Sequence, residues 1–239
     1  MVYSVELRQL LLFAALTPAE LAGVAAAARS ADYRHGMQLF QAGYPCDGVT
    51  FVLTGFVRLA RLAADGAEVT TGIVGPGGPA AVGALRGHME HDDTADALGR
   101  VRTVEISAAL LLDLMSRTPH LFAELSRCLV ARIGAAYVGA QADAQTPLVH
   151  RIVHTLRCLA RPYRLPGTDA MHPLAVRLSH AELARLVGAD RTTVTRAIGS
   201  LAAQGLVQRE RGHVTGVAIV APLPSKRTRV ALGQGPAVG

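Results

Sequence analysis

The spacing of apolar positions changes character several times along the chain. Residues 4–30 carry short helical patterns, and Thr17-Pro18-Ala19-Glu20 has the form of a helix start: a hydroxyl cap, a proline at the first helical position and an acid in the first turn. From Asp32 to Ile106 short apolar runs, such as Val49-Thr50-Phe51-Val52-Leu53 and Phe56-Val57-Arg58-Leu59, alternate with recurring glycines. That texture predicts short strands in an all-β sandwich or barrel. Asp65-Gly66, between two such runs, predicts a hairpin closed by a tight type I′ turn. From Ser107 to Ala144 the glycines thin out, and Leu125, Leu129, Ile133, Ala136 and Ala140 step by 4, 4, 3 and 4 residues. This places one apolar seam along a single long helix. A further helix is expected from about Pro147 to Ala160, then a loop, RPYRLPGTDAMHP, before Leu174. The final stretch, rich in proline, glycine and basic residues, is expected to be disordered.

The pattern between residues 179 and 220 carries the chemistry. Ser179-His180-Ala181-Glu182 is a capping box that starts a helix burying Leu183, Leu186 and Val187, and Gly188 permits the left-handed backbone of a sharp corner. Asp190 then caps a second helix with Arg191 at its first position, in which Val194, Ile198 and Leu201 share a core-facing strip. Thr192, Thr195, Arg196 and Gly199 fall on the opposite side. Two helices joined by a glycine corner, the second offering arginines and hydroxyls outward, predict a helix-turn-helix reader of double-stranded DNA. Leu206 to Arg209, Glu210-Arg211-Gly212-His213 and Val214 to Val220 predict strand, turn and strand, a wing. The candidate DNA contacts are Ser179, Arg191, Thr192, Thr193, Thr195, Arg196 and Ser200, with Arg209, Arg211 and His213 of the wing placed for phosphates.

Charge separates the two halves. Residues 1–120 hold 9 arginines against 12 acids, a net of −3, whereas residues 121–239 hold 15 basic residues against 6 acids, a net of +9. A basic segment of that size meets a polyanion. Lysine occurs once, as Lys226, and asparagine not at all, so base reading falls mainly to arginine, which can bond guanine O6 and N7 in parallel. No apolar run reaches the roughly 18 residues of a membrane span, and the start of the chain lacks a basic n-region. Three scattered cysteines, Cys46, Cys128 and Cys158, fit neither a disulfide framework nor a CxxC metal site. A soluble cytoplasmic protein is expected. No GxSxG, HExxH or Walker lysine is present, and no enzyme activity, metal or cofactor is expected.

The residues to about 221 resemble the cyclic-AMP receptor protein/FNR (CRP/FNR) family of bacterial transcription regulators. The resemblance rests on LFQAGYPCDGVTFVLTGFVRL, on the long helix from about Thr118 and on RLSHAELARLVGADRTTVTRAIGSLAAQGLV. It implies an α+β architecture: an N-terminal cyclic-nucleotide-binding-type β jelly roll over 1–116, a dimerisation helix over 117–145, a winged helix-turn-helix over 146–222 and a disordered tail over 223–239. It also implies a homodimer on a near-palindromic operator, with Leu125, Leu129, Ile133, Ala136, Tyr137 and Ala140 in the interface. It favours activation, with RNA polymerase as a further partner. The family's reading helix commonly carries Arg-Glu-Thr-Val-x-Arg, here Arg191-Thr192-Thr193-Val194-Thr195-Arg196, so both arginines are kept and the glutamate is lost.

The sensor half departs further. Members that bind cyclic AMP carry Gly-Glu, then Arg-Ser-Ala, for ribose and phosphate. Here Val82 stands in the glutamate's place, Asp93-Thr94-Ala95 in the second slot, and Ala136-Tyr137 where a Thr-Ser pair would meet the purine. An aspartate facing a phosphate at 4 Å implies about 4 kcal/mol of repulsion at an effective dielectric near 20, so cyclic AMP is not the expected effector. Haem, thiol redox and another small molecule remain as alternative effectors, and a winged helix acting through protein contacts is the rival reading. His88, His91, Asp92 and Asp93 are expected in a solvated loop, and His150 with His154 at i,i+4 lacks a third ligand.

Overall fold

The computed structural model describes residues 2–87, 90–141, 146–160 and 171–218. The chain opens with α1 (Ser4–Leu7), a 3-10 turn (Leu11–Phe13) and α2 (Pro18–Ala27). Thr17 caps α2 as the sequence predicts, its Oγ1 accepting from Glu20 N while Glu20 Oε2 accepts from Thr17 N. Six antiparallel strands follow: β1 (Arg29–Tyr33), β2 (Gln38–Phe40), β3 (Gly48–Leu62), β4 (Glu68–Val74), β5 (Pro79–Ala81) and β6 (Thr94–Ser107). They are ordered β1-β6-β3-β4, with β2 on β6 and β5 on β3.

Two of these strands are long rather than short. β3 and β6 pair along nearly their whole length and shift register on either side of Thr54. Gly55 sits at that shift with φ +81°, and a Cβ there would lie 2.2 Å from Arg100 O. Only glycine allows the two backbones to approach and bend together, and that bend rolls the sheet. At Asp65-Gly66 the hairpin forms, but the turn differs from the type I′ expectation. Only Gly66 has positive φ, Gly66 N bonds Ala63 O, and Ala63 N bonds Ala67 O, a three-residue loop that ends in a left-handed glycine.

α3 (Ala108–Arg117) and α4 (Pro119–Gln141) leave the roll. Leu111, Leu114, Leu121 and Leu125 are buried with Leu7, Phe13, Leu21, Phe51 and Ile106 in one core. Leu125 thus faces its own domain, and Leu129 leans on the same core. Phe122, Val130 and Ile133 of α4 are 59%, 68% and 67% exposed. Of the expected seam, the side chains of Ala136, Tyr137 and Ala140 lie outside the described residues.

The rest of the chain builds α5 (Leu148–Leu159), β7 (Met171–Ser179), α6 (His180–Val187), α7 (Arg191–Ala203), β8 (Val207–Glu210) and β9 (His213–Ala218). β7, β9 and β8 form a three-stranded antiparallel sheet. Met171, His172 and Pro173, read from sequence as the end of a loop, are strand residues paired with Ala218, Val217 and Gly216. The expected tail from residue 223 lies outside the described residues.

Candidate nucleic-acid interface

The corner between α6 and α7 is built from local signals. Ser179 Oγ accepts from Glu182 N at 3.2 Å, and Glu182 Oε2 accepts from Ser179 N at 2.7 Å, closing the predicted capping box. Gly188 ends α6 at φ +61°, ψ +54°. Asp190 Oδ1 accepts from Thr193 N at 2.8 Å and starts α7. Bonds from Thr193 hold the Asp190 carboxyl below the usual aspartate range. A Cβ on Gly188 would meet nothing nearer than Arg151 Nη1 at 3.9 Å, so Gly188→Ala carries only the cost of left-handed backbone. We expect a loss of about 1–2 kcal/mol in urea unfolding, and a smaller loss for Gly188→Asn.

α7 presents two unlike faces. Val194, Ile198 and Leu201 are fully buried against Ile152, Leu156, Leu183 and Val214, whereas Arg191, Thr192, Thr193, Thr195, Arg196 and Ser200 are exposed. The wing supplies more cations: Arg209, Arg211 and His213 are exposed on β8, the turn and β9. Arg211 and Gly212 both have positive φ, +46° and +79°, between the paired Glu210 and His213. The type I′ geometry expected at Asp65-Gly66 is therefore found here instead. Ser179, also exposed in part, spends its oxygen on the cap.

Several residues that sequence reasoning did not single out hold this unit in place. Arg151 of α5 donates from Nη1 to Val187 O at 2.8 Å and so caps the end of α6. His180 Nδ1 lies 3.0 Å from Thr195 Oγ1, and Thr195 Oγ1 donates to Arg191 O at 2.8 Å. Burial, then Arg209, Arg191 and His213, lowers the His180 pKa. Toward the roll, His35 Nε2 pairs with Glu182 Oε1 at 2.5 Å. Gly99 N donates to His35 Nδ1 at 2.9 Å, so Nδ1 is the acceptor toward the roll and Nε2 is the nitrogen turned to α6. Burial pushes the Glu182 carboxyl up, but bonds from Ser179 and His35 outweigh it and the net direction is down. The fully buried Arg58 bonds Asp96, Glu68 and Thr70 Oγ1, and Thr70 Oγ1 donates onward to Arg185 O at 3.1 Å. Phe56 and Leu98 of the roll share one core with the winged unit. The His35–Glu182 and Thr70–Arg185 contacts join residues more than a hundred positions apart, a separation no local pattern reveals.

The segment around Asp93 is not the solvated loop expected from sequence. His91 stacks on Phe40 with ring centroids 4.1 Å apart, and Asp92 pairs with Arg86; His88 lies outside the described residues. Asp93 is 5% exposed. Its Oδ1 accepts from Arg61 Nε at 2.7 Å and Thr71 Oγ1 at 3.0 Å, and its Oδ2 from Arg132 Nη2 at 3.2 Å. Arg132 Nη1 also donates to the carbonyls of Pro79 and Ala80, both at 3.2 Å. The expectation of a bare, repelling carboxylate is thus corrected. Two guanidinium groups neutralise Asp93, and one of them comes from the long helix. Burial raises the thiol pKa of Cys128 and Cys158, which opposes a reactive thiolate. Among the described residues no group of three or more His, Cys, Asp and Glu could hold a metal, and no helix is long and apolar enough to cross a membrane.

An antiparallel roll, a long helix and a winged helix-turn-helix with an arginine-bearing second helix define a class of DNA-binding regulators. The cyclic nucleotide-binding domain model matches residues 31–118, and the Crp-like helix-turn-helix domain model matches residues 150–220. The chain is 26% identical over 201 residues to the CRP-like cAMP-activated global transcriptional regulator of Mycobacterium tuberculosis, covering 83% of this chain and 88% of that one. It is 25% identical over 185 residues to the global nitrogen regulator of a Nostoc species, covering 77% and 82%. A CRP/FNR-family transcriptional regulator from Thermus thermophilus superposes with a TM-score of 0.61 at 27% identity, over 79% of this chain and 93% of that one. The c-di-GMP-responsive global regulator CLP of Xanthomonas campestris shares the fold, with a TM-score of 0.66 at 22% identity, over 85% and 100%. The chain belongs to the CRP/FNR family of transcription regulators.

Proposed function

We propose that the protein is a homodimeric, sequence-specific DNA-binding regulator whose roll does not take cyclic AMP. The observation that carries the reading is α7 itself. Its buried strip fixes the helix on the winged unit while Arg191 and Arg196 stand exposed beside the cations of the wing. Arginines of the second helix read base edges, and the wing adds phosphate contacts. Binding then weakens steeply with salt, with a log–log slope near −5 if about six phosphates are contacted. A gel-shift titration in salt measures it. An absent or salt-insensitive shift would favour a winged helix that acts through protein contacts.

The outward face of α4 supports a second copy as partner. At about 100° per residue, Phe122 and Ile133 fall within about 20° of one another, with Val130 roughly 60–80° further round. Leu125, Arg132 and Leu121 lie about 60–100° from Phe122 in the opposite sense, toward the roll, with Leu129 at the boundary between the two. Three large apolar side chains left in water along one helix are the pattern of an interface. The dimer seam we propose therefore runs through Phe122, Val130 and Ile133, with Leu125 and Leu129 assigned to the protomer's own core. Two-fold pairing would place two α7 helices about 34 Å apart, in successive major grooves.

The Asp93 cluster supports independence from cyclic AMP. The slot where a phosphate-binding arginine would stand holds a carboxylate, and the arginines that reach it are already spent on that carboxylate and on two carbonyls. A phosphate entering there would have to displace Asp93 from its partners. Relatives named for cyclic AMP and for nitrogen regulation share similar identity with this chain, which leaves room for a different signal or none.

A further inference from the structure

The three threonines of α7 are not equivalent hydrogen-bonding groups. Thr193 gives its amide to Asp190, and its side chain lies near the same carboxylate. No hydroxyl bond to another described residue engages Thr192. Thr195 is exposed, yet its oxygen is committed twice: it donates to Arg191 O at 2.8 Å and lies 3.0 Å from His180 Nδ1. A threonine hydroxyl has one proton. With that proton on Arg191 O, His180 must donate from Nδ1, which in the neutral imidazole leaves Nε2 unprotonated, and Nε2 is buried with no partner among the described residues.

Resting on the DNA-reading role proposed above, we infer that Thr195 reads DNA through its methyl group, by contact with the 5-methyl of a thymine, and that His180 is the positioning residue that turns the hydroxyl away. The side chain has two substituents to offer, and the helix turn and the imidazole hold the polar one. What remains for a base edge is Cγ2, and the apolar feature of the major-groove edge is the thymine methyl. Thr192 is left as the helix's hydroxyl reader. Position 195 thus selects one thymine in each half-site, and a hydroxyl there is dispensable.

The test replaces single thymines of a selected operator by deoxyuridine, which removes the methyl and keeps the pairing. Full-length wild type, Thr195→Val, Thr195→Ser and His180→Ala are compared by gel shift. Burying one methyl is worth about 0.8 kcal/mol, so one thymine per half-site should show a loss of roughly fourfold in affinity. Thr195→Val should keep that loss. Thr195→Ser should bind the thymine operator roughly fourfold more weakly per half-site and show no further loss on deoxyuridine. His180→Ala should shrink the deoxyuridine penalty, a change that a merely structural histidine would not produce. The inference is overturned if no position is sensitive to deoxyuridine, if Thr195→Ser keeps the penalty, or if Thr195→Val abolishes binding to an operator that wild type binds. Failure of wild type to select any operator would instead overturn the DNA-reading role beneath it.

Discussion

Arg196→Ala is expected to lower the preference for operator over scrambled duplex by about 1–3 kcal/mol, and Arg191→Ala by a similar amount, each in the range of five- to 150-fold. Both side chains are exposed on α7 and neither supports the core strip of Val194, Ile198 and Leu201, so folding should be unaffected. Competition gel shifts against operator and scrambled duplex measure the effect. Loss of discrimination, rather than uniform weakening, marks a base contact. The wing residues provide the contrast: Arg209→Ala or Arg211→Ala should weaken binding to all sequences and flatten the salt slope by about one. If both α7 variants keep full discrimination, these arginines do not read bases.

The largest effect on stability is expected at Asp93. Its side chain is 6% exposed and that of Arg132 25%, whereas Arg61 at 55% can turn to water. Asp93→Ala leaves the Arg132 guanidinium against two carbonyls with no carboxylate bonded to it. Breaking a buried pair from one side costs about 3–5 kcal/mol, and the partial exposure of Arg132 places this case near the lower end. The urea midpoint of Asp93→Ala should fall accordingly, while Asp93→Asn, which keeps an acceptor, should lose less. Arg132→Met should also lose less than Asp93→Ala, because Asp93 would retain Arg61 and Thr71. Equal stability of Asp93→Ala and wild type would show that the pair does not tie the long helix to the roll.

The winged helix-turn-helix was legible in the sequence because each of its devices is local. Ser179 and Glu182 stand three apart, Gly188 ends one helix, and Asp190 starts the next two residues later. Short-range hydrogen bonding and backbone sterics decide such features, and residue types report both. The Asp93 cluster was not legible, since its arginines stand 32 and 39 positions away and only the folded sheet brings them together. Its chemistry accordingly came out differently, as neutralisation in place of repulsion. The sidedness of α4 was half legible. The helix has one broad apolar arc, and spacing alone does not say which part of it the roll covers; Leu125 and Leu129 went inward, Phe122, Val130 and Ile133 outward. The two hairpins teach the same lesson on a smaller scale. Asp65-Gly66 and Arg211-Gly212 both place glycine second, yet only the latter has positive φ at both positions, because the turn type follows loop length and not the dipeptide alone.

Selection of duplexes from a random pool by the full-length protein tests the central claim most directly. The account predicts enrichment of a near-palindrome with half-sites centred about one helical turn apart, and loss of that enrichment for the Arg191→Ala, Arg196→Ala double variant. Failure of the wild-type protein to enrich any sequence, or enrichment that the double variant reproduces unchanged, would contradict it.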